Sequence, residues 1–438
     1  MKPALAVEEN KDSLALSENK ILRYSTFVLL YFAQGIFEGF AFFAVPLWMA
    51  ANGKTAGEIA GFIAILMIPW TFKFLIGPIL DKYTYLSMGR KRPWIIFGQV
   101  GICLTFVSLS FLNNPLNAMG TLILLAFVLS LFTAVQDVAT DGLAVEITPA
   151  NQQGRMNALM WGSKVVSIAI WLAAGTWLIN NLGFQDAVLV PAAAIRVGLI
   201  VVLIVREHPG ERQLPWSEGK ASEEAVQVQH ESWRSLFRTL FKMILTKSNL
   251  LLLLVLLLFQ LSFAFVDTLN KIFIVQEVLW TDSATSNWTA TCILISGVGG
   301  LLFGGFLLKK HGSLKIAKWG LLTLILLAGA MAVLKPYWQS PGLIETFTLL
   351  FYFAYTISTI SMLAHAMMCC VKSIAATQFT VYMAFANLGI MCGAKLLAVI
   401  KGFFDWQMIF LVTCILALVV IFFIRQLELS PPESNTQP

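Results

Sequence analysis

The sequence is poor in charge: only 12% of its 438 residues are Asp, Glu, Lys or Arg, whereas 58% are apolar. Soluble proteins carry about 25% charged and about 45–50% apolar residues. The shortage of charge excludes an ordinary soluble domain and predicts a membrane protein. The net charge of +6 does not indicate a nucleic-acid partner, because the cations lie in short segments between apolar runs.

Several chemical signatures are also missing. No phosphate-binding loop, metal cluster or Ser/His/Asp arrangement is found, and the six cysteines lie inside apolar runs without metal-ligand spacing to histidine. We therefore expect no cofactor, no metal and no enzymatic activity. Residues 1–24 are polar and contain no apolar core before a small-residue cleavage site, so we also expect no cleavable signal peptide.

Long apolar runs dominate what is present. A hydrocarbon core of about 30 Å is crossed by about 20 apolar helical residues, and the lipid leaves helices as the way to satisfy the backbone of such runs. The fold class predicted is therefore an all-α membrane protein with twelve transmembrane helices, at 25–50, 56–80, 94–112, 118–145, 155–181, 184–206, 247–277, 283–308, 314–336, 343–371, 375–402 and 405–427.

The polar stretch 207–246 divides these helices into two sets of six. The predicted organisation is an N-terminal tail (1–24), a six-helix bundle (25–206), a linker (207–246), a second six-helix bundle (247–427) and a C-terminal tail (428–438). Within the linker, the stretch from Glu231 to Arg238 could lie as an amphipathic helix on the membrane surface. Three pairs of similar short motifs, each 222–228 residues apart, favour a duplication of six helices, a common plan for transporters.

The distribution of lysine and arginine predicts the orientation. Segments on the side of the termini and linker hold 22 of the 30 cations, and the loops on the other side hold 3. Short cytoplasmic loops carry an excess of positive charge. Both termini are therefore predicted to be cytoplasmic.

Carboxylates inside the fourth and first helices are the main candidate functional groups. Asp137 and Asp141 are four residues apart, so they share a helix face and repel each other. Either one holds a proton or a cation lies between them, and Arg155 and Lys164 are the candidate cations. Asp137 lies about 16 Å along the helix from Thr148-Pro149, which is expected to stop it. We predict proton coupling at Asp137, Asp141 and Glu38, with a structural ion-pair network as the alternative.

Further polar groups inside predicted helices are candidates for contact with a substrate. Asp267 and Lys271 have the spacing and order of a helical ion pair, which either satisfies itself or faces the cavity. His365 is a proton-relay candidate or a hydrogen-bonded packing residue. The full set predicted to bind substrate is Gln34, Lys164, Gln260, Asp267, Lys271, His365, Gln378 and Lys395.

A short charged hinge joins the second and third helices. It reads Gly77-x-x-x-Asp81-Lys, then Gly89-Arg90-Lys91-Arg92-Pro-Trp. With twelve helices in two sets of six, this hinge resembles the signature of the major facilitator superfamily. The resemblance implies a cytoplasmic gate formed by Gly77, Asp81, Gly89, Arg90, Lys91 and Arg92.

Other motifs resemble one branch of that family, the muropeptide permeases and acetyl-coenzyme A transporters. They include Pro69-Trp-x-x-Lys73, Gln136-Asp-Val-Ala-Thr-Asp141-Gly and Ala376-Thr-Gln-Phe. The resemblance implies proton-coupled symport of a small polar, anionic solute of muropeptide type by alternating access. The alternatives are a cation-coupled glycoside symporter, an acetyl-coenzyme A transporter, or a non-transporting receptor with the same fold.

The expected partners are a small-molecule substrate, protons and membrane lipids. No nucleic acid is expected, and the chain is expected to be a monomer in a bacterial inner membrane. The second half of the chain carries fewer motifs of the branch than the first.

Overall fold

The structure is a computed structural model that describes residues 14–54, 56–229 and 232–429. Residues 1–13 and 430–438, which belong to the predicted tails, lie outside the described residues. Twelve helices in the described part are long and apolar enough to span a membrane, which confirms the predicted fold class. These helices, α1 to α12, are Lys20–Met49, Gly61–Lys82, Arg92–Ser110, Met119–Ile147, Ala150–Leu182, Phe184–Ile204, Lys247–Gln276, Asn287–His311, Ser313–Val333, Pro341–Met368, Lys372–Ile400 and Trp406–Leu429.

Two of these helices are locally irregular where polar residues lie. The α-helical turns of α1 give way to a π-helical stretch at Glu38–Ala44, and such stretches are frequent at functional sites. In α2, a bend at Phe72 separates the helical segments Ala56–Thr71 and Lys73–Lys82. Pro69 lies in the segment before this bend and Pro78 in the segment after it.

The first half of the predicted linker is ordered against the N-terminal segment and the hinge. The backbone N–H of Leu16 donates to the carbonyl of Arg206 at 2.8 Å. The side-chain amide of Gln229 donates to the carbonyl of Lys82 at 3.0 Å, and its oxygen accepts from Thr84 at 3.0 Å. The linker also holds the helices Glu223–Gln227 and Trp233–Ile244. It is therefore a folded element along much of its length.

The chain forms two compact units whose segments alternate along the sequence. Unit 1 comprises Met1–Pro149, Ser163–Arg238 and Lys372–Thr380, and unit 2 comprises Ala150–Gly162, Thr239–Val371 and Val381–Pro438. The core of unit 1 is apolar and includes Phe37, Phe106 and Trp171. A core cluster of unit 2 joins Ala158 to Leu308 and Ile360. The predicted bundle boundaries, 25–206 and 247–427, stay a prediction.

Candidate functional site

A group of buried charged side chains lies within the spanning helices of unit 1. Glu38, at the start of the π-helical stretch of α1, accepts from Lys164 of α5 at 2.6 Å. Only 8% of Lys164 is exposed. Gly35, one turn before Glu38, has room for no side chain, because a Cβ there would lie 2.6 Å from the carbonyl oxygen of Lys164. This close approach of α1 and α5 brings the two charges together.

The compensating cation for Asp137 comes from α2. Lys73 Nζ lies 3.0 Å from Asp137 Oδ2, and both residues are almost completely buried. Sequence reasoning proposed Arg155 or Lys164 for this role. Instead, Lys164 pairs with Glu38, and Arg155 packs its side chain against Gly305 in unit 2. Lys73 starts the second segment of α2, so the bend at Phe72 contributes to its placement.

Asp141 has a hydroxyl partner. Tyr31 of α1 donates its phenolic hydrogen to Asp141 Oδ1. Both residues are buried, with 4% and 2% exposed. The two aspartates of α4 thus have different surroundings, because Asp137 faces an ammonium group and Asp141 a neutral hydroxyl. Carboxylates in such unequal surroundings are suited to holding different protonation states.

An indole ring lies among these charges. The centroid of Trp70 is 5.6 Å from Lys73 Nζ and 5.2 Å from Lys164 Nζ, which are cation–π distances. Phe37 stacks on the same indole at 6.4 Å with an interplanar angle of 16°. The Trp70 Nε1 atom is buried and has no hydrogen-bond partner among the described residues. We call Glu38, Lys73, Asp137, Asp141 and Lys164, with Tyr31 and Trp70, the mid-span cluster.

Gln34 is a buried polar side chain on α1. It is fully buried, and neither its amide nitrogen nor its amide oxygen has a hydrogen-bond partner among the described residues. Leaving a buried polar atom unpaired costs about 1–3 kcal/mol. A buried side chain with both ends unpaired is a candidate for contact with a ligand. The prediction that Gln34 binds substrate remains a prediction that this geometry favours.

Unit 2 contains a smaller polar group on α7 and α10. Asp267 accepts from Lys271 at 2.7 Å and from the hydroxyl of Tyr352 at 2.6 Å. Half of the Lys271 side chain is exposed. The predicted helical ion pair is therefore present, and Tyr352 is an additional partner that sequence reasoning did not identify. An exposed pair of this kind contributes little to stability, so Lys271 can exchange its partner readily.

The remaining predicted substrate residues lie in separate surroundings. The ring nitrogens of His365 face Ser313 at 3.1 Å and Cys369 at 3.8 Å, which matches the packing alternative better than a relay. Gln260 is 6% exposed, and its side-chain oxygen has no partner among the described residues. Lys395 is exposed on α11, whereas Gln378 is fully buried near the start of that helix. Gln260, His365 and Lys395 belong to unit 2, and Gln378 belongs to unit 1.

The predicted gate forms a second buried network in unit 1. Asp81, at the end of α2, accepts from the ammonium group of Lys91 and from Thr377 of α11. Thr377 donates through its backbone N–H at 2.7 Å and its hydroxyl at 2.6 Å. Gly77 allows this approach, because a Cβ there would lie 2.8 Å from the Cα of Thr377. The hinge is therefore fastened to the first turns of α11.

Arg90 extends the network to the first two residues of α11. Its guanidinium lies 2.9 Å from Glu146 of α4 and donates to the carbonyls of Lys372 and Ser373 at 3.1 and 3.0 Å. Lys91 also lies 3.5 Å from Glu146. Glu146 thus balances two cations that are almost completely buried.

The beginning of the linker supports the hinge from its other side. The carboxylate of Glu207 accepts from the backbone N–H groups of Arg90, Lys91 and Arg92 at 2.8, 2.7 and 2.5 Å. Gly89 has a φ of 101°, and its open side is filled by the Glu207 side chain, so both space and conformation require glycine. Arg92 donates to four carbonyls, two in α6 and two in the linker.

Glu211 is a second linker carboxylate that contacts the backbone around Glu207. Glu211 Oε2 accepts from the backbone N–H groups of Glu207 and His208 at 3.1 and 3.0 Å. Its Oε1 accepts from the hydroxyl of Ser222 at 3.0 Å. Burial, together with the negative charge of Glu207, raises the pKa of Glu211 to about 8.

Sequence reasoning found most of the carboxylates but missed several of their partners. Lys73 and Trp70 stand in a motif that was used only for a family resemblance, although a lysine inside a spanning run is itself a functional signal. Tyr31 and Thr377 carry no such signal, because neutral hydroxyls are common in membrane helices. Glu146 precedes the end of α4 closely enough to suggest a surface residue.

Comparison with known proteins places the chain in a transporter family. The family model for the Major Facilitator Superfamily matches residues 27–394. The anhydromuropeptide permease of Escherichia coli strain K12 is 25% identical over 384 residues, covering 84% of this chain and 72% of that protein.

Solved structures are similar in fold. A crystal structure of the transporter FucP in the outward conformation has a TM-score of 0.66 and 13% identity, over 93% of this chain and 99% of that one. A bacterial homologue of the iron transporter ferroportin, in its outward-facing state, has a TM-score of 0.69 and 12% identity, over 92% and 99%. At these identities the likeness concerns the fold alone.

Proposed function

The chain belongs to the Major Facilitator Superfamily, and from this premise we propose that it is a proton-coupled symporter for a small anionic solute of muropeptide type. In this proposal the bundles 25–206 and 247–427 alternate in access around a central site. The observation that carries the proposal is the mid-span cluster, in which three carboxylates and two lysines lie within spanning helices, and all but the half-buried Glu38 are buried. Ionisable groups at that depth are costly and are usually retained for function.

The proton-binding step is assigned to the two aspartates of α4. Asp137 is balanced by Lys73, whereas Asp141 accepts a hydrogen bond from the neutral hydroxyl of Tyr31. A proton that reaches Asp137 would remove the charge that holds Lys73. The freed ammonium group would then be available to an anionic substrate, and this couples proton binding to substrate binding.

The substrate class is supported by the chemistry around Trp70. Two ammonium groups beside an indole suit a ligand that has both a carboxylate and a sugar ring, because the ring can stack on the indole. Anhydromuropeptides combine a sugar with a peptide that ends in carboxylates. The unpaired Gln34 amide and Trp70 Nε1 would supply hydrogen bonds that orient such a ligand.

The gate is assigned to the network around Asp81. Its bonds join the hinge to α11, which belongs to the other predicted bundle. Breaking and forming these bonds would open and close the predicted cytoplasmic side. The proposed setting is a bacterial inner membrane, with both termini cytoplasmic and the protein acting as a monomer.

The test is uptake by purified protein in proteoliposomes with an inward proton gradient. Labelled anhydromuropeptide, a simple glycoside and acetyl-coenzyme A are offered in separate reactions. We expect accumulation of the anhydromuropeptide that is abolished by a protonophore and by Asp137→Asn. The matched control is Asp186→Asn, since Asp186 is an exposed carboxylate outside the cluster.

The outcomes separate the parts of the proposal. Uptake of the glycoside or of acetyl-coenzyme A alone would replace the substrate class. Uptake that persists with a protonophore would reject proton coupling. Binding without uptake of any of the three would favour a receptor with the transporter fold.

A further inference from the structure

The linker helix Trp233–Ile244 has three rows of side chains along its length. One row is buried, with Leu236 at 0% and Leu240 at 7% exposure. A second row is aromatic and exposed, and a third is cationic. Residues four apart lie along one face of a helix. The aromatic row is therefore Trp233, Phe237 and Phe241, and the cationic row is Arg234, Arg238 and Lys242.

Each side chain of the aromatic row is partly exposed. The exposed fractions of Trp233, Phe237 and Phe241 are 36%, 39% and 58%. The indole of Trp233 stacks on Phe237 at 5.9 Å and meets Tyr83 edge-on at 5.8 Å, so this end of the row is held in place. Tyr83, at the end of α2, is itself 55% exposed. Held and exposed aromatic rings are typical of membrane interfaces.

Among the described residues, the cationic row has no carboxylate partner. The three cations are all exposed, and the helix Trp233–Ile244 contains no aspartate or glutamate. No described carboxylate lies within ion-pair distance of any of the three. Each cation follows an aromatic residue by one position, so the two rows lie side by side.

The short connection to α7 places this helix close to the membrane surface. Ile244 is followed after two residues by Lys247, the first residue of the spanning helix α7. The three residue steps from Ile244 to Lys247 reach about 11 Å at most, so the C-terminal end of the linker helix lies close to the level where α7 enters the membrane. Leu245, in the connection, is 63% exposed.

We propose that the helix Trp233–Ile244 is a docking surface for the anionic head groups of the surrounding membrane. The aromatic row enters the boundary between head groups and acyl chains, and the cationic row binds lipid phosphates. The charge complementarity of an uncompensated cationic row, placed at the membrane surface, selects anionic over zwitterionic lipid.

The experiment measures hydrogen–deuterium exchange of the full-length protein in lipid nanodiscs. One preparation contains phosphatidylcholine only, and the other contains 30% phosphatidylglycerol. Each cation near an anionic surface contributes about fivefold to the binding equilibrium, so three contribute about a hundredfold at low salt. We expect backbone amides of 233–244 to exchange at least tenfold more slowly with phosphatidylglycerol, and 0.5 M salt to remove most of the difference.

A triple variant and its matched control identify the cations. Arg234→Gln, Arg238→Gln and Lys242→Gln together should abolish the lipid-dependent protection. Lys309→Gln, Lys310→Gln and Lys315→Gln remove the same charge from other exposed positions on the same predicted face and should leave the protection intact.

The proposal is overturned by equal exchange of 233–244 in the two lipids for the unmodified protein. It is also overturned if the control triple variant loses the protection as fully as the linker variant does. Neither outcome depends on uptake of any solute, so both are separate from the test of the proposed function.

Discussion

Replacing Asp81 by asparagine tests whether the gate network holds the start of α11. The substitution keeps the size and shape of the side chain but removes its negative charge. The backbone N–H of Thr377 donates to Asp81 at 2.7 Å. The exchange rate of this single amide therefore reports directly on the contact.

The expected loss of stability at this contact follows from the partners that Asp81 would lose. The residue is completely buried and accepts from Lys91 and twice from Thr377. Removing one member of a buried ion pair costs about 3–5 kcal/mol. Lys91 keeps Glu146 at 3.5 Å, and the asparagine oxygen still accepts one bond from Thr377, which reduces the cost to about 2–4 kcal/mol. At about 1.4 kcal/mol per factor of ten, the Thr377 amide should exchange about 30- to 1,000-fold faster.

The assay is hydrogen–deuterium exchange of the full-length protein in nanodiscs, read at peptides from 372–380. Asp186→Asn is the control, since it removes an exposed carboxylate. A change below threefold at Thr377 would refute the role given to Asp81. An equal increase in peptides of α6 or α12 would instead indicate general destabilisation, and would refute a local role for the contact.

Two further predictions concern the other buried charges. The first concerns the ion pair of Lys73 and Asp137: Lys73→Met and Asp137→Leu should each lower the free energy of unfolding by about 3–5 kcal/mol. The double variant should lose much less than the sum of the two single losses. Chemical denaturation in detergent measures these losses, and additive losses would show that the two residues do not interact. The second concerns Glu211, whose pKa of about 8 in the folded linker exceeds the ordinary value of about 4.3. The folded linker therefore keeps a proton on Glu211 that the unfolded linker loses. The folded state of the linker is destabilised as the pH rises from about 4.3 to about 8. The charged groups that interact with it are Glu207 and Arg92. After correction for the intrinsic rise of amide exchange with pH, the protection of peptides from 207–222 should fall between pH 6 and 9. Glu211→Gln should flatten this profile, and an unchanged slope would contradict the assignment.

The twelve helices were predictable because their signal is strong and local. Each spanning run exceeds the length that lipid requires, and its ends carry charges or prolines. The predicted fifth helix, 155–181, was too short, because Ala150–Leu182 continues past Arg155 to the proline at its start. Such boundary errors arise because a charged residue can be packed inside protein, as Arg155 is against Gly305.

The partners of the buried charges were harder to predict because they depend on which helix faces meet. Asp137 and Lys73 are 64 positions apart, and Tyr31 and Asp141 are 110 apart. Nearness in sequence favoured Lys164 as the partner of Asp137, but the close packing at Gly35 assigns Lys164 to Glu38. Helix spacing does predict pairs within one helix, and the pair of Asp267 and Lys271 is an example.

The mid-span cluster and the gate are built on the same short piece of α2. The segment Lys73–Lys82 begins after the bend at Phe72 and carries Lys73 at one end and Asp81 near the other. Eight residues of helix separate them by about 12 Å. Because the bend separates this segment from the rest of α2, it can tilt as one piece. In the proposed function, a proton on Asp137 releases Lys73 and therefore frees the segment whose other end holds Thr377. The segment Lys73–Lys82 then links the lysine that pairs with the proton-binding Asp137 to Asp81, the carboxylate that closes the gate.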